Sequence, residues 1–122
     1  MLEVSSGEYS VCQLDADAEV PGWVSGTVTS VTRTPSELSI VCLQEFVPDH
    51  VRCETGWRCL RIRGPLEFSL VGVIASLTGL LAAADLGVFV ISTFNTDYLL
   101  VKQDDLNTAV TSLRTAGHSV SP

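Results

Sequence analysis

The sequence predicts an α+β protein in which an antiparallel sheet carries helices on one of its faces. Three observations lead to this fold class: strand-like runs of β-branched residues, apolar residues at helical spacing in the second half, and a strand–turn–strand pattern that occurs twice. The chain has 122 residues, of which 46% are hydrophobic. This content is enough to fill a core and is not typical of a disordered chain.

The first half is predicted to hold three short strands, at residues 9–14, 27–32 and 38–42. Between the last two strands, residues 34–37 contain Pro35 and polar side chains, as a hairpin turn requires. Residues 44–56 mix charged residues with Pro48 and glycine, so we expect a connector there.

The second half is predicted to hold three further strands, at residues 57–62, 88–93 and 97–102. A long helix between the first two is indicated by apolar residues at spacings of four, three and four, namely Leu70, Ile74, Leu77 and Leu81. Gly87 is expected to mark the end of this helix. Asp104 is expected to cap a final helix, with Gly117 beyond its end.

The two halves also resemble each other. Residues 31–41 lie over residues 91–101 at an offset of 60, so that Glu37 corresponds to Asp97. Both segments read as an apolar strand, a polar turn, an acidic residue and a second apolar strand. The first half is therefore predicted to be the same unit with a shortened helix.

Charge and cysteine usage limit the class of partner and the location. The chain has 14 acidic and 7 basic residues, a net charge of -7, which argues against binding to nucleic acid. Its four cysteines show no C-x-x-C spacing, and without a basic leader we expect reduced thiols in the cytoplasm rather than disulfides or a zinc site. The uncharged segment 68–84 is shorter than a membrane span and contains Ser and Gly, so a buried helix is favoured over a membrane helix.

Three segments resemble a small bacterial family with two ACT-like domains: residues 30–42, 64–70 and 91–101, the last reading ISTFNTDYLLV. That family is related to the regulatory domains of aspartate kinase and to CASTOR-type arginine sensors. The resemblance implies two ferredoxin-like ACT units side by side, a first over residues 1–56 and a second over residues 57–122. It also implies amino-acid sites at the interfaces between units.

The start of the long helix is the first candidate ligand site. Unpaired N–H groups at a helix start favour negative charge. We expect the backbone of Phe68, Ser69 and Leu70 to bind the carboxylate of an amino acid, with Gly64 allowing close approach. The alternative is that this segment is only the beginning of a helix after ordinary loop punctuation.

The second hairpin turn is the other candidate. Asp97, beside Asn95 and Thr96, could accept hydrogen bonds from a ligand ammonium or guanidinium, and Phe94 could form an apolar wall. Glu37 could complete a site across an interface. The alternatives are that Asp97 and Asn95 only shape the turn and that Glu37 is a solvated turn residue.

These expectations combine into a non-catalytic regulatory module that binds a free amino acid, needs no cofactor and forms a homodimer or a higher homo-oligomer. The alternative function is a protein-interaction or dimerisation module without a small-molecule ligand. An enzyme is disfavoured because the one Cys/His proximity, His50 with Cys53, lacks the other groups of a catalytic site.

Overall fold

The computed structural model describes residues 2–63 and 72–122, which contain eight strands and two α-helices. In chain order these elements are β1 (Leu2–Val4), β2 (Tyr9–Leu14), β3 (Ser30–Arg33), β4 (Leu38–Leu43), β5 (Arg52–Ile62), α1 (Val73–Ala83), β6 (Phe89–Ser92), β7 (Asp97–Lys102), α2 (Leu106–Thr115) and β8 (Val120–Ser121). Short 3-10 turns, Gln44–Phe46 and Gln103–Asp105, follow β4 and β7. Within the described ranges, neither helix has the length and hydropathy of a membrane span.

The chain divides into two compact units, one formed by Gly7–Trp57 and the other by Met1–Ser6 together with Arg58–Pro122. The sequence-based prediction placed all of residues 1–56 in the first unit. In the structure, the amino-terminal residues as far as Ser6 make their contacts with the unit that contains Arg58–Pro122. The cause is strand β1, which pairs antiparallel with β5 and parallel with β8. The parallel pair also makes the sheet mixed, where the sequence predicted antiparallel strands.

The unit Gly7–Trp57 is a sheet without an α-helix. Its strands follow the order β3-β4-β2-β5, and β2 pairs with β4 along its whole length, from Tyr9↔Leu43 to Leu14↔Leu38. Residues 15–29 connect β2 to β3 by turns alone, so the helix of this unit is missing rather than shortened. A small core forms from Cys12, Leu38, Ile40 and Cys42.

Strand β5 begins five residues earlier than predicted, because its first residues pair with β2. Arg52 and Cys53 are the partners of Gln13 and Cys12, and a bulge follows between Val11 and Tyr9. Gly56 near the bulge has a φ of 78°, a value that glycine adopts readily. Its N–H donates to the side-chain oxygen of Gln44 at 2.6 Å. Residues 52–56, which were predicted as part of the connector, therefore belong to strand β5 of the sheet.

The unit containing Arg58–Pro122 holds the larger core. Its strands are connected in the order β6-β7-β5-β1-β8, and the helices pack on one face, as predicted. The buried residues from the two layers are Leu2, Leu60, Ile62, Leu77, Leu81, Leu99, Val101, Ala109, Leu113 and Val120. Alternate strand residues therefore pack against the periodic apolar faces of α1 and α2.

Both helices end in the same hydrogen-bonded motif. After α2, Gly117 (φ 97°) donates to the carbonyl of Arg114 at 3.0 Å, and the next N–H donates to the carbonyl of Leu113 at 3.0 Å, as predicted from this glycine. After α1 the left-handed residue is Asp85 (φ 62°), not Gly87, so the predicted end of α1 is wrong by two residues.

The predicted cap of α2 is also wrong. Asp104 lies inside the 3-10 turn that runs into α2, and the N-cap position is taken by Asp105, which makes no side-chain capping hydrogen bond. The turn carries the chain directly from β7 into the helix, so the helix start is set by this turn and by the packing of α2.

The thiols of Cys12, Cys42 and Cys59 are buried, and that of Cys53 is partly exposed. Burial, with Cys42 and Cys53 as neighbours, raises the pKa of Cys12 to about 12. Burial raises the pKa of Cys59 to about 11, and it is also the main cause of the raised pKa of Cys42. These three thiols therefore stay protonated at neutral pH and are poor nucleophiles.

We expect Gly117→Ala to lower the free energy of unfolding by about 1 kcal/mol, because a Cβ disfavours the left-handed conformation. The matched control is Gly79→Ala, an identical change at an exposed position inside α1, which should raise it by about 0.5–1 kcal/mol. A Cβ meets no neighbouring atom within 4 Å at either position, so the backbone alone decides the sign. Urea denaturation measures both effects, and equal signs would contradict this interpretation.

We expect iodoacetamide at pH 8 to label Cys53 in the folded protein well before Cys12, Cys42 or Cys59. Even at pH 10, where labelling speeds up, only about 1% of the Cys12 thiol is ionised because its pKa is raised to about 12, so Cys12 should still react slowly. Mass spectrometry of peptides measures the order, and unfolding in guanidinium should make all four thiols react alike. Native labelling of Cys12 or Cys59 as fast as that of Cys53 would show that burial does not protect them.

Candidate ligand-binding site

The two hairpin turns have the same hydrogen-bond pattern. In the β3–β4 turn, the N–H of Thr34 donates to the carbonyl of Glu37 at 2.9 Å, and in the β6–β7 turn Thr93 donates to Thr96 at 2.8 Å. In each turn the threonine hydroxyl accepts a hydrogen bond from the N–H three residues later, at 3.1 Å for Glu37 and 3.3 Å for Thr96. A threonine that bonds the backbone in this way stabilises the turn.

This shared pattern corrects the register of the internal repeat. The two turns superpose at an offset of 59, so Glu37 corresponds to Thr96, and Asp97 corresponds to Leu38. The equivalence of Glu37 with Asp97 is therefore wrong by one residue, and a one-residue slip places side chains on opposite faces of a strand. The identical threonines that open the turns, and the identical glutamines after β4 and β7, are the sequence signal for the correct offset.

Thr96 attaches the second turn to strand β5. Its side chain is only 6% exposed, and its hydroxyl donates to the carbonyl of Ile62 at 2.7 Å. Ile62 is the last residue of β5, so this buried hydrogen bond holds the turn beside the strand end. Thr96 was predicted as a ligand contact. Because its hydroxyl proton is donated to the carbonyl of Ile62, this proton is not available for a hydrogen bond to a ligand in this structure.

The other predicted residues of this turn are accessible. Phe94 is 81% exposed, an unusual value for a large aromatic side chain, and Asn95 beside it is also exposed. Asp97 is partly buried at the first position of β7, opposite Ser92. The turn thus presents an aromatic ring, an amide and a carboxylate within four residues, a set suited to binding a cation with apolar parts.

Glu37 lies in the other unit, Gly7–Trp57, where its carboxylate accepts a hydrogen bond from the side-chain amide of Gln13 at 3.2 Å. A shallow cavity of about 240 Å³ borders it, with Arg52 and Cys53 among the lining residues. In the same unit, the guanidinium of Arg33 donates to the carbonyls of Ala16 and Ala18, a loop-closing role that the sequence did not reveal.

The remaining predicted contacts, Gly64, Phe68, Ser69 and Leu70, lie outside the described residues. Among residues 2–63 and 72–122, no group of three or more His, Cys, Asp or Glu side chains could hold a metal ion. Of the candidate site, the structure describes the β6–β7 turn and the end of β5, and Glu37 lies in the other unit.

Comparison with known proteins places this geometry in a family. A family model described as an ACT domain matches residues 52–115, and a second model, of an N-terminal domain, matches residues 7–50. The cytosolic arginine sensors for mTORC1 (subunit 1) of Bos taurus and Homo sapiens are each 44% identical over 59 residues. That match covers 48% of this chain and only 18% of each sensor.

Solved structures extend the similarity to the whole chain. An X-ray structure of a protein from Agobacterium tumefaciens has a TM-score of 0.93 and 39% identity, covering 99% of this chain and 92% of the other. The ligand-free regulatory subunit of aspartate kinase from Thermus thermophilus has a TM-score of 0.65 and 10% identity, covering 96% and 97% of the two chains, and shares the fold. The ACT-domain match over more than half of the chain, together with this fold, shows that the protein belongs to the ACT domain family.

Proposed function

We propose that this chain is a regulatory module that binds a free amino acid, with the β6–β7 turn supplying part of the site. The observation that carries the proposal is the buried hydrogen bond from Thr96 to Ile62. It attaches the turn to the end of β5, while Phe94, Asn95 and Asp97 remain accessible to different degrees. A preorganised turn loses little conformational entropy when a ligand binds.

The chemistry of the turn suits the ammonium or the basic side chain of an amino acid. A carboxylate that accepts hydrogen bonds from a cation forms a strong, charge-assisted contact, which is the role proposed for Asp97. The backbone of Phe68, Ser69 and Leu70, after Gly64, is proposed to bind the ligand carboxylate. L-Arginine is the first ligand to test, because the related sensors carry its name.

The proposed module has no catalytic role and acts in the cytoplasm, as the name of the related arginine sensors suggests for those proteins. The family resemblance is to regulatory ACT domains. In the described part of the chain, three of the four thiols are buried with raised pKa values, which does not favour a nucleophile.

We further propose that the chain forms a homodimer through a sheet edge. Among the described residues, β3 pairs only with β4, and β6 pairs only with β7. Each of these edge strands carries an exposed valine, Val31 at 44% and Val90 at 40%. Unpaired strand edges with exposed apolar side chains favour pairing with another chain.

We expect one or a few amino acids, L-arginine first, to raise the melting temperature in a dose-dependent way. Asp97→Asn should then weaken binding by about 10- to 100-fold, because it removes a charged partner worth roughly 1.5–3 kcal/mol. Calorimetric titration measures the affinity. The matched control is Asp104→Asn, which changes an exposed acidic residue outside the β6–β7 turn. This variant should bind the ligand with the affinity of the unmodified protein.

Unchanged affinity in a folded Asp97→Asn variant would remove Asp97 from the site. Glu37→Gln, tested in the same way, shows whether the first hairpin contributes to binding. A screen of all twenty amino acids without any stabilisation would favour the alternative function, a protein-interaction module without a small-molecule ligand.

We expect light scattering to give twice the mass of one chain, and Val90→Lys to lower this mass by placing a charge on the edge strand. Val20→Lys is the control, since Val20 is 50% exposed and lies outside every strand. A monomeric unmodified protein at about 100 µM, or dissociation by both variants alike, would contradict the edge-paired dimer.

A further inference from the structure

A groove of about 760 Å³ runs along one face of α2, in the unit that contains Arg58–Pro122. Its lining shares no residue with the β6–β7 turn. Val4 of β1 and Leu106 and Val110 of α2 give it an apolar side, and they pack against the buried core beneath. Protein sites for small molecules have volumes of roughly 300–1,000 Å³, so the groove has the size of a ligand site.

Among the described residues that line the groove, two are arginines and none has an acidic side chain. Arg58 donates to the side-chain oxygen of Gln103 at 3.0 Å and to the carbonyl of Ser5 at 3.3 Å. Arg114 donates to the carbonyl of Val120 at 2.6 and 3.3 Å. Both guanidinium groups are thus held in place by neutral acceptors, which do not neutralise their charge.

Arg61 and Arg63 of the same unit, unlike the two arginines of the groove, have an acidic partner. Those side chains form ion pairs with Glu3, at 3.6 and 3.0 Å. In the described part of the chain neither Arg58 nor Arg114 has such a carboxylate, and the buried Nε of Arg58 lacks any hydrogen-bond partner. In a chain with a net charge of -7, this groove thus brings together two arginines that form no ion pair with a described side chain.

We propose that the groove binds a small organic anion, with an apolar body along α2 and a carboxylate or phosphate head at the arginines. Fixed guanidinium groups bind both kinds of head through directed, charge-assisted hydrogen bonds. The exposed side chains of Asn107 and Thr111 provide further polar contacts along the rim. The lining of the groove shares no residue with the β6–β7 turn, so the groove is proposed as a second site, separate from the one that includes Asp97.

The test uses the full chain and the fluorescent probe 1-anilinonaphthalene-8-sulfonate, which joins an anionic head to an apolar body. We expect a saturable rise in fluorescence, and at least fivefold weaker binding in Arg58→Gln. Thr111→Trp, which fills the groove from an exposed position, should weaken it as strongly. Arg61→Gln makes the same charge change outside the groove and should leave the affinity unchanged.

Competition then identifies the head group. Displacement of the probe by decanoate or by decyl phosphate supports the proposal and shows whether the carboxylate or the phosphate is preferred. Equal displacement by uncharged decanol would overturn it, because the arginines would then have no part in binding. Absence of saturable binding to the folded protein, or equal affinity in Arg58→Gln and Arg61→Gln, would also overturn it.

Discussion

The backbone pairing of β1 with the last residues of β5 is the interaction on which the larger unit depends. Leu2, Glu3 and Val4 pair with Ile62, Arg61 and Leu60, and β8 then adds to the other edge of β1. This arrangement buries Leu2 and Val120 in the same core as α1 and α2. It also places Val4 in the lining of the groove, beside Arg58 of β5 and the residues of α2.

Strand β5 connects this pairing to the proposed amino-acid site. Its last residue, Ile62, pairs with Leu2 through the backbone and accepts the hydroxyl of Thr96 through its carbonyl. A change that shifts β5 would therefore disturb both the β6–β7 turn and the groove. If ligands bind at both proposed sites, the shared strand offers a physical route for coupling, because a ligand at one site can favour one position of that strand.

The unit Gly7–Trp57 shares some local features with the unit that contains Arg58–Pro122 and differs in others. It has a hairpin, a threonine-centred turn and a 3-10 turn after β4, but its described residues contain no α-helix. The ACT-domain match begins at residue 52, and a different family model covers residues 7–50. The shared turn is stabilised by local hydrogen bonds, and the small core of this unit includes two cysteines.

Several features follow from the sequence because they depend on neighbouring residues. Strand β7 has the predicted bounds, and Gly117 ends α2 where expected, since a turn threonine or a left-handed glycine acts over three or four residues. The ACT family was also identified from residues alone, and the family match confirms it. The exposed Phe94 and the partly buried Asp97 belong to a turn that the sequence had already indicated.

Other features were decided by contacts between distant parts of the chain. The early start of β5, the insertion of β1 and the added strand β8 all depend on pairing partners far away in the sequence. The backbone hydrogen bonds of the two turns fix the offset at 59, in agreement with the identical threonines and glutamines, whereas the pattern of apolar residues alone had led to an offset of 60. Local propensity sets which residues form strands and turns, whereas tertiary pairing sets which strand lies beside which, and therefore where a site forms.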